Sequence, residues 1–131
     1  MTANPVDAHA ASRARVAAKF FRGLGDPTRV RILTLLAVRE RTVAELVMEL
    51  GSLQGRVSSH LACLRWCGMV ESRREGRSAY YRLTDERVRQ IVSLALRFLD
   101  DNGERIELCQ IIDNANRETT PWGRWSVSEA T

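Results

Sequence analysis

The stretch Thr42-Val43-Ala44-Glu45-Leu46-Val47-Met48-Glu49-Leu50-Gly51-Ser52-Leu53-Gln54-Gly55-Arg56-Val57-Ser58-Ser59-His60-Leu61-Ala62-Cys63-Leu64-Arg65-Trp66-Cys67-Gly68 decides the fold. Thr42 and Glu45 have the spacing of a capping box, in which hydroxyl and carboxylate each satisfy an unpaired backbone N–H. Val43, Leu46, Val47 and Leu50 recur at helical spacing and predict a short helix over 43–50. Gly51 closes it, and Ser52 is the expected cap of the next helix. That helix spans about 53–67, with Val57, Leu61 and Leu64 as its core face and Gly68 as its terminal glycine. Two helices joined by a tight glycine turn make a helix-turn-helix.

The flanks extend this unit. Segments 69–74 and 78–83 surround Glu75-Gly76-Arg77 and read as a β-hairpin, which makes the motif a winged one. Thr84 is the expected cap of a long helix, with Asp85 and Glu86 in its first turn. Its apolar face, Val88, Ile91, Val92, Ala95, Phe98 and Leu99, is more than a small monomer needs. Asp100-Asp101-Asn102-Gly103 is the expected end, and 104–115 a final short helix carrying Cys109. On the N-terminal side, Val16, Phe20, Phe21 and Leu24 predict a helix from Ser12. Asp26-Pro27 then starts another that runs to about Arg39. Residues 1–11 read as a disordered arm, 12–116 as a single winged helix-turn-helix domain, and 117–131 as a tail that includes Trp122 and Trp125. The fold class is mainly α with a β-hairpin wing.

Composition narrows the function. The chain has 131 residues, 44% apolar and 27% charged, enough for one core without staples. No apolar run reaches membrane-span length and no secretory signal opens the sequence, so a cytoplasmic, membrane-independent protein is expected. Three cysteines in a reducing compartment argue for thiols rather than a disulfide framework. There is no Cys-x-x-Cys, phosphate loop or Ser/His/Asp arrangement, so an enzyme is not expected.

The net charge of +4 is modest, but every basic residue except Lys19 is arginine, the better fork for phosphate and guanine. On the second helix, Gln54, Arg56, Ser58, Ser59 and His60 have the size and donors suited to reading a DNA groove. Arg73, Arg74 and Arg77, with Tyr80, suit the wing to phosphate or minor-groove contact. The expected partner is double-stranded operator DNA.

Cys63 and Cys67 are four residues apart, one turn apart on one side of a helix and on a different stripe from Val57, Leu61 and Leu64. Two thiolates there suit a soft ion such as mercury. A disulfide between them is disfavoured, because side chains parallel on one helix strain the bond.

The sequence resembles the ArsR/SmtB family of metal-responsive bacterial repressors. The resemblance is carried by Leu24-Gly25-Asp26-Pro27-Thr28-Arg29-Val30-Arg31-Ile32-Leu33, Val57-Ser58-Ser59-His60-Leu61-Ala62-Cys63-Leu64-Arg65, Gly68-Met69-Val70, Glu75-Gly76-Arg77 and Tyr80-Tyr81-Arg82-Leu83. It spans roughly residues 14–100. It implies a homodimer built from the N-terminal and long C-terminal helices, and release of operator DNA when metal binds. Cys63-Leu64-Arg65-Trp66-Cys67-Gly68 is similar to the mycobacterial cadmium/lead-sensing branch. That likeness implies a site of Cys63, Cys67 and Cys109, and the softness of three sulfur ligands ranks cadmium, lead and mercury above zinc. Two departures matter. The first helix of the motif carries no Cys-x-Cys, and the long helix has no histidine after Asp85, so two other metal sites found in such repressors are absent. A thiol redox sensor of the same fold and a structural-zinc adaptor are the alternative readings.

Overall fold

The computed structural model describes residues 4–113. Its order is α1 (Pro5–Gly23), α2 (Pro27–Val38), β1 (Arg41–Thr42), α3 (Val43–Leu50), α4 (Gln54–Trp66), β2 (Val70–Glu75), β3 (Ser78–Leu83) and α5 (Glu86–Glu107). The chain divides into two units, Met1–Ser93 and Leu94–Thr131.

The first unit holds the winged helix-turn-helix. Its core is Ile32, Leu33 and Leu36 of α2, Leu46 and Leu50 of α3, Val57, Leu61 and Leu64 of α4, then Met69, Val70 and Val92. These are the apolar stripes expected of α3 and α4, now facing one another. Asp26 caps α2 by accepting from the Arg29 N–H at 3.1 Å, with Pro27 at the first position. The Thr42/Glu45 capping box forms in both directions. Gly51 closes α3 at φ 63°, a left-handed backbone that a side chain would strain.

The sheet is antiparallel in the order β1-β3-β2. Glu75 pairs with Ser78, so the wing turns through Gly76 and Arg77 alone. β1 is a strand the sequence did not announce. Its two residues pair Arg41 with Tyr81 and Thr42 with Tyr80, which fastens the entrance of α3 to the wing. Two residues are too short for a period-2 pattern to register.

Several boundaries differ from expectation. The N-terminal arm is helical from Pro5, because Asn4 accepts from the Val6 N–H, Pro5 stands at the first position and alanines follow. The cap of α4 is Leu53 rather than Ser52, with no side-chain cap bond. Asp85, not Thr84, accepts the Arg87 N–H at the start of α5, at 2.8 Å. The Thr84 hydroxyl is bonded elsewhere, to the Gly68 carbonyl.

In the second unit, α5 continues through Asp100-Asp101-Asn102-Gly103 instead of ending there. A single glycine costs a helix only ~1 kcal/mol, and Asn102 donates back to the Phe98 carbonyl at 3.3 Å. Cys109 therefore lies not on a separate helix from 104 but in the break after α5, where its carbonyl accepts from the Asp113 N–H. Residues 110–113 are helical. The apolar side chains of α1 and α5 stay largely uncovered: Phe21 is 62% and Phe98 59% exposed. Trp122, Trp125 and the expected 117–131 tail lie outside the described residues. No helix among the described residues is long and apolar enough to cross a membrane.

Candidate nucleic-acid interface and thiol pair

Helix α4 separates its faces cleanly. Val57, Leu61 and Leu64 are buried, while Gln54, Arg56, Ser58 and Ser59 are exposed. Gln54 and Ser58 line an open concavity of about 300 Å³ with Thr42, Val43 and Ala44 of the α3 entrance and Arg77, Ser78 and Ala79 of the wing. The reading helix, the α3 entrance and the wing thus share one surface, and β1 is what brings the last two together. Thr42 and Ala44 were missed by sequence reasoning, which had no signal for that pairing. The Ser59 hydroxyl donates to the Gly55 carbonyl at 2.9 Å, so its proton belongs to the helix and only its lone pairs face outward.

The wing arginines fall into two groups. Arg74 and Arg77 are exposed and form no ion pair among the described residues. Arg73 bonds Glu75 and Glu40 and lies over the Tyr80 ring, 4.7 Å from its centroid. Glu75 first, then Glu40, hold the Arg73 guanidinium pKa above its ordinary value. Arg73 and Tyr80, expected as DNA contacts, thus brace the wing against the loop before β1.

His60, also expected to face DNA, is turned inward. Its side chain is 16% exposed, with Nε2 3.8 Å from Asp26 Oδ1 and Nδ1 3.4 Å from Arg29 Nη1. Arg29 is held in turn by the Gly23 carbonyl at 2.5 Å. The offset of one residue, about 100°, from the Leu61 position takes His60 off the core stripe in sequence, and in the fold it points at the start of α2.

Cys63 is half-buried and Cys67 exposed, and both are free thiols. Helix α4 ends at Trp66, one residue before the expected end, but Cys67 keeps a right-handed helical backbone as the C-cap. Its N–H donates to the Cys63 carbonyl at 3.0 Å, so the two thiols sit one turn apart on the same side. Burial, then the adjacent Cys63 thiol by charge and by hydrogen bond, push the Cys67 thiol above its ordinary value, while Arg29 and Lys19 pull it the other way. The two sulfurs are therefore neighbours, as the spacing predicted. Among the described residues no group of three or more His, Cys, Asp or Glu side chains is arranged to hold one ion. Cys109 belongs to the second unit.

Residues 26–72 match the family model for bacterial regulatory proteins of the arsR family. The chain is 45% identical over 92 residues to a probable mercury resistance operon repressor of Streptomyces lividans, covering 70% of this chain and 74% of that protein. It is 49% identical over 72 residues to the HTH-type transcriptional regulator KmtR of Mycobacterium tuberculosis, 55% of each chain. Among solved structures, a homodimeric winged helix-turn-helix DNA-binding domain from Mycobacterium bovis superposes with a TM-score of 0.61 at 32% identity, covering 77% of this chain and 90% of that one. These regulators are DNA-binding proteins and not enzymes. With the winged helix-turn-helix formed and a relative matched over most of its length, the chain belongs to the arsR family of bacterial regulatory proteins.

Proposed function

We propose that this chain is a metal-responsive repressor that binds operator DNA as a homodimer and lets go when a thiophilic ion is caught by Cys63 and Cys67. The observation that carries the reading is the pair of free thiols one turn apart at the end of the DNA-reading helix. Two sulfurs on one turn are a chelate for a soft cation. The Streptomyces lividans relative, named for mercury resistance, supports the same ligand class. Cys109 completes a three-sulfur site, supplied by the same or the partner chain. Cadmium, lead and mercury rank above zinc on softness.

The DNA-facing set is Gln54, Arg56, Ser58, Ser59, Arg74 and Arg77, with α4 in the major groove and the wing tip on phosphate. Residues 12–116 act as the dimer domain. The uncovered apolar faces of α1 and α5 are its dimer contacts, which parallels the homodimeric Mycobacterium bovis domain. Release follows from differential affinity, because the ion binds best to a placement of α4 that fits the groove worst.

The test is a titration with Cd²⁺, Pb²⁺ and Hg²⁺, followed by sulfur-to-metal absorption and by fluorescence of Trp66, which is 93% exposed. Binding to a duplex selected from a random pool by the metal-free protein is measured in parallel. A coupling of ~3 kcal/mol weakens that binding ~150-fold. Duplex affinity unchanged by all three ions would refute the reading.

A further inference from the structure

The end of α4 that carries Cys67 is fastened to the start of α5. Cys67 is the C-cap, and Gly68 follows at φ 77°. The Gly68 N–H donates to Arg65 at 3.0 Å and the Met69 N–H to Leu64 at 2.9 Å, the paired bonds of a Schellman motif. This turn leaves the Gly68 and Met69 carbonyls pointing away from the helix, and one residue takes both. The Thr84 hydroxyl donates to the Gly68 carbonyl at 2.5 Å, and the Thr84 N–H donates to the Met69 carbonyl at 3.2 Å. Asp85, next in the chain, accepts the Arg87 N–H in the first turn of α5.

We propose that Thr84 is a positioning residue that passes the state of the Cys63/Cys67 pair to α5. The proposal rests on the metal-responsive reading. One peptide unit separates Cys67 from the carbonyl that the Thr84 hydroxyl holds. Met69 and Val70 beyond it are buried, so they cannot absorb a shift of the turn by swinging into solvent. A displacement of Cys67 as its sulfur closes on an ion is therefore passed to Gly68 and, through the hydroxyl, to the entrance of α5. Without the hydroxyl the Gly68 carbonyl loses its direct tie to Thr84, only the Thr84 N–H on the Met69 carbonyl remains, and the link from Cys67 to α5 is weakened. Ion capture and operator release then become separable, which would not hold if the ion acted only by displacing α4 locally.

The experiment compares wild type, Thr84→Val and Thr84→Ser as full chains. Cadmium binding is read by sulfur-to-metal absorption, and duplex binding with and without cadmium uses the pool-selected duplex. Thr84→Val should bind cadmium, and the metal-free duplex, within about threefold of wild type, yet show a cadmium-induced weakening at least tenfold smaller. Thr84→Ser should restore it, which a general loss of packing would not permit. Full cadmium response in Thr84→Val, beside a responsive wild type, overturns the Thr84 route while leaving the metal reading standing. A wild type that ignores cadmium defeats that reading first and this one with it. If Thr84→Val does not fold, amide exchange in the wild type decides. Cadmium should change the rates at Thr84 and Arg87 at least tenfold, and rates unchanged within twofold overturn the proposal.

Discussion

Arg41 Nε lies 2.6 Å from Glu49 Oε2, which ties β1 to the last turn of α3. Arg41 is the only buried charged residue among those described, at 7% exposure, and it also donates to the Leu35 and Arg39 carbonyls. Replacing it takes the side-chain donor from the Arg39 carbonyl in a closed site and leaves the Leu35 carbonyl only the Arg39 N–H at 3.3 Å. Arg41→Met should therefore lose about 2–3 kcal/mol of folding stability, read by chemical denaturation. Glu49→Gln should cost less, because Glu49 is half open to water and Arg41 keeps its carbonyl partners. Equal and negligible losses would mean the strand is held by the sheet alone.

Two arginines one turn of the wing apart should behave differently. Arg77 stands on the concavity beside Gln54 and Ser58, whereas Arg73 is engaged by Glu40 and Glu75. Arg77→Ala is expected to weaken duplex binding across sequences and reduce the log–log salt slope by about one. Arg73→Ala should leave that slope nearly unchanged. A lost phosphate contact at Arg73 and none at Arg77 would reverse this division of the wing.

Acid should act through the entrance of α5. Arg87, by side chain and then by backbone N–H, holds Asp85 down to about 2. A carboxyl depressed in the folded state contributes stability that is complete above its ordinary value of 3.8 and is lost as pH falls towards 2. Asp85→Asn should therefore remove part of the stability change across that window, as followed by thermal melting from pH 5 to 2. An identical acid limb in wild type and variant would contradict it.

Ion capture should depend on pH near neutrality, where a site of already ionised ligands would not. The Cys67 thiol is held above its ordinary value, so it is protonated near neutrality and must release its proton to bind. From this group alone, apparent cadmium affinity should fall about tenfold per unit as pH is lowered from 8 to 6. Calorimetry in buffers of different ionisation enthalpy counts the protons. No proton release would show that Cys67 is not a ligand.

Much of the first unit was legible in sequence because its signals are local. Thr42/Glu45 and Asp26-Pro27 mark their helix starts by side-chain chemistry, Gly51 and Gly68 mark helix ends by their left-handed backbone, and Val57, Leu61 and Leu64 mark a face by spacing. What escaped depends on partners distant in the chain. His60 was read outward because its partners, Asp26 and Arg29, lie about thirty residues earlier and no helical wheel contains them. Arg73 was read as a phosphate ligand because a basic wing residue looks the same whether or not Glu40 faces it. Thr84 followed by two acids imitates a cap, and only the fold reveals the Gly68 carbonyl that takes its hydroxyl. Gly103 looked like a stop, yet neighbouring turns carry α5 through it.

The most direct measurement compares wild type with Cys63→Ser for binding to the selected duplex, with and without cadmium. The wild-type protein should lose affinity on the order of 100-fold when cadmium is added, while Cys63→Ser should bind the metal-free duplex equally well and ignore the ion. A Cys63→Ser protein that still releases DNA on cadmium, or a wild type that never does, would contradict the thiol pair as the trigger.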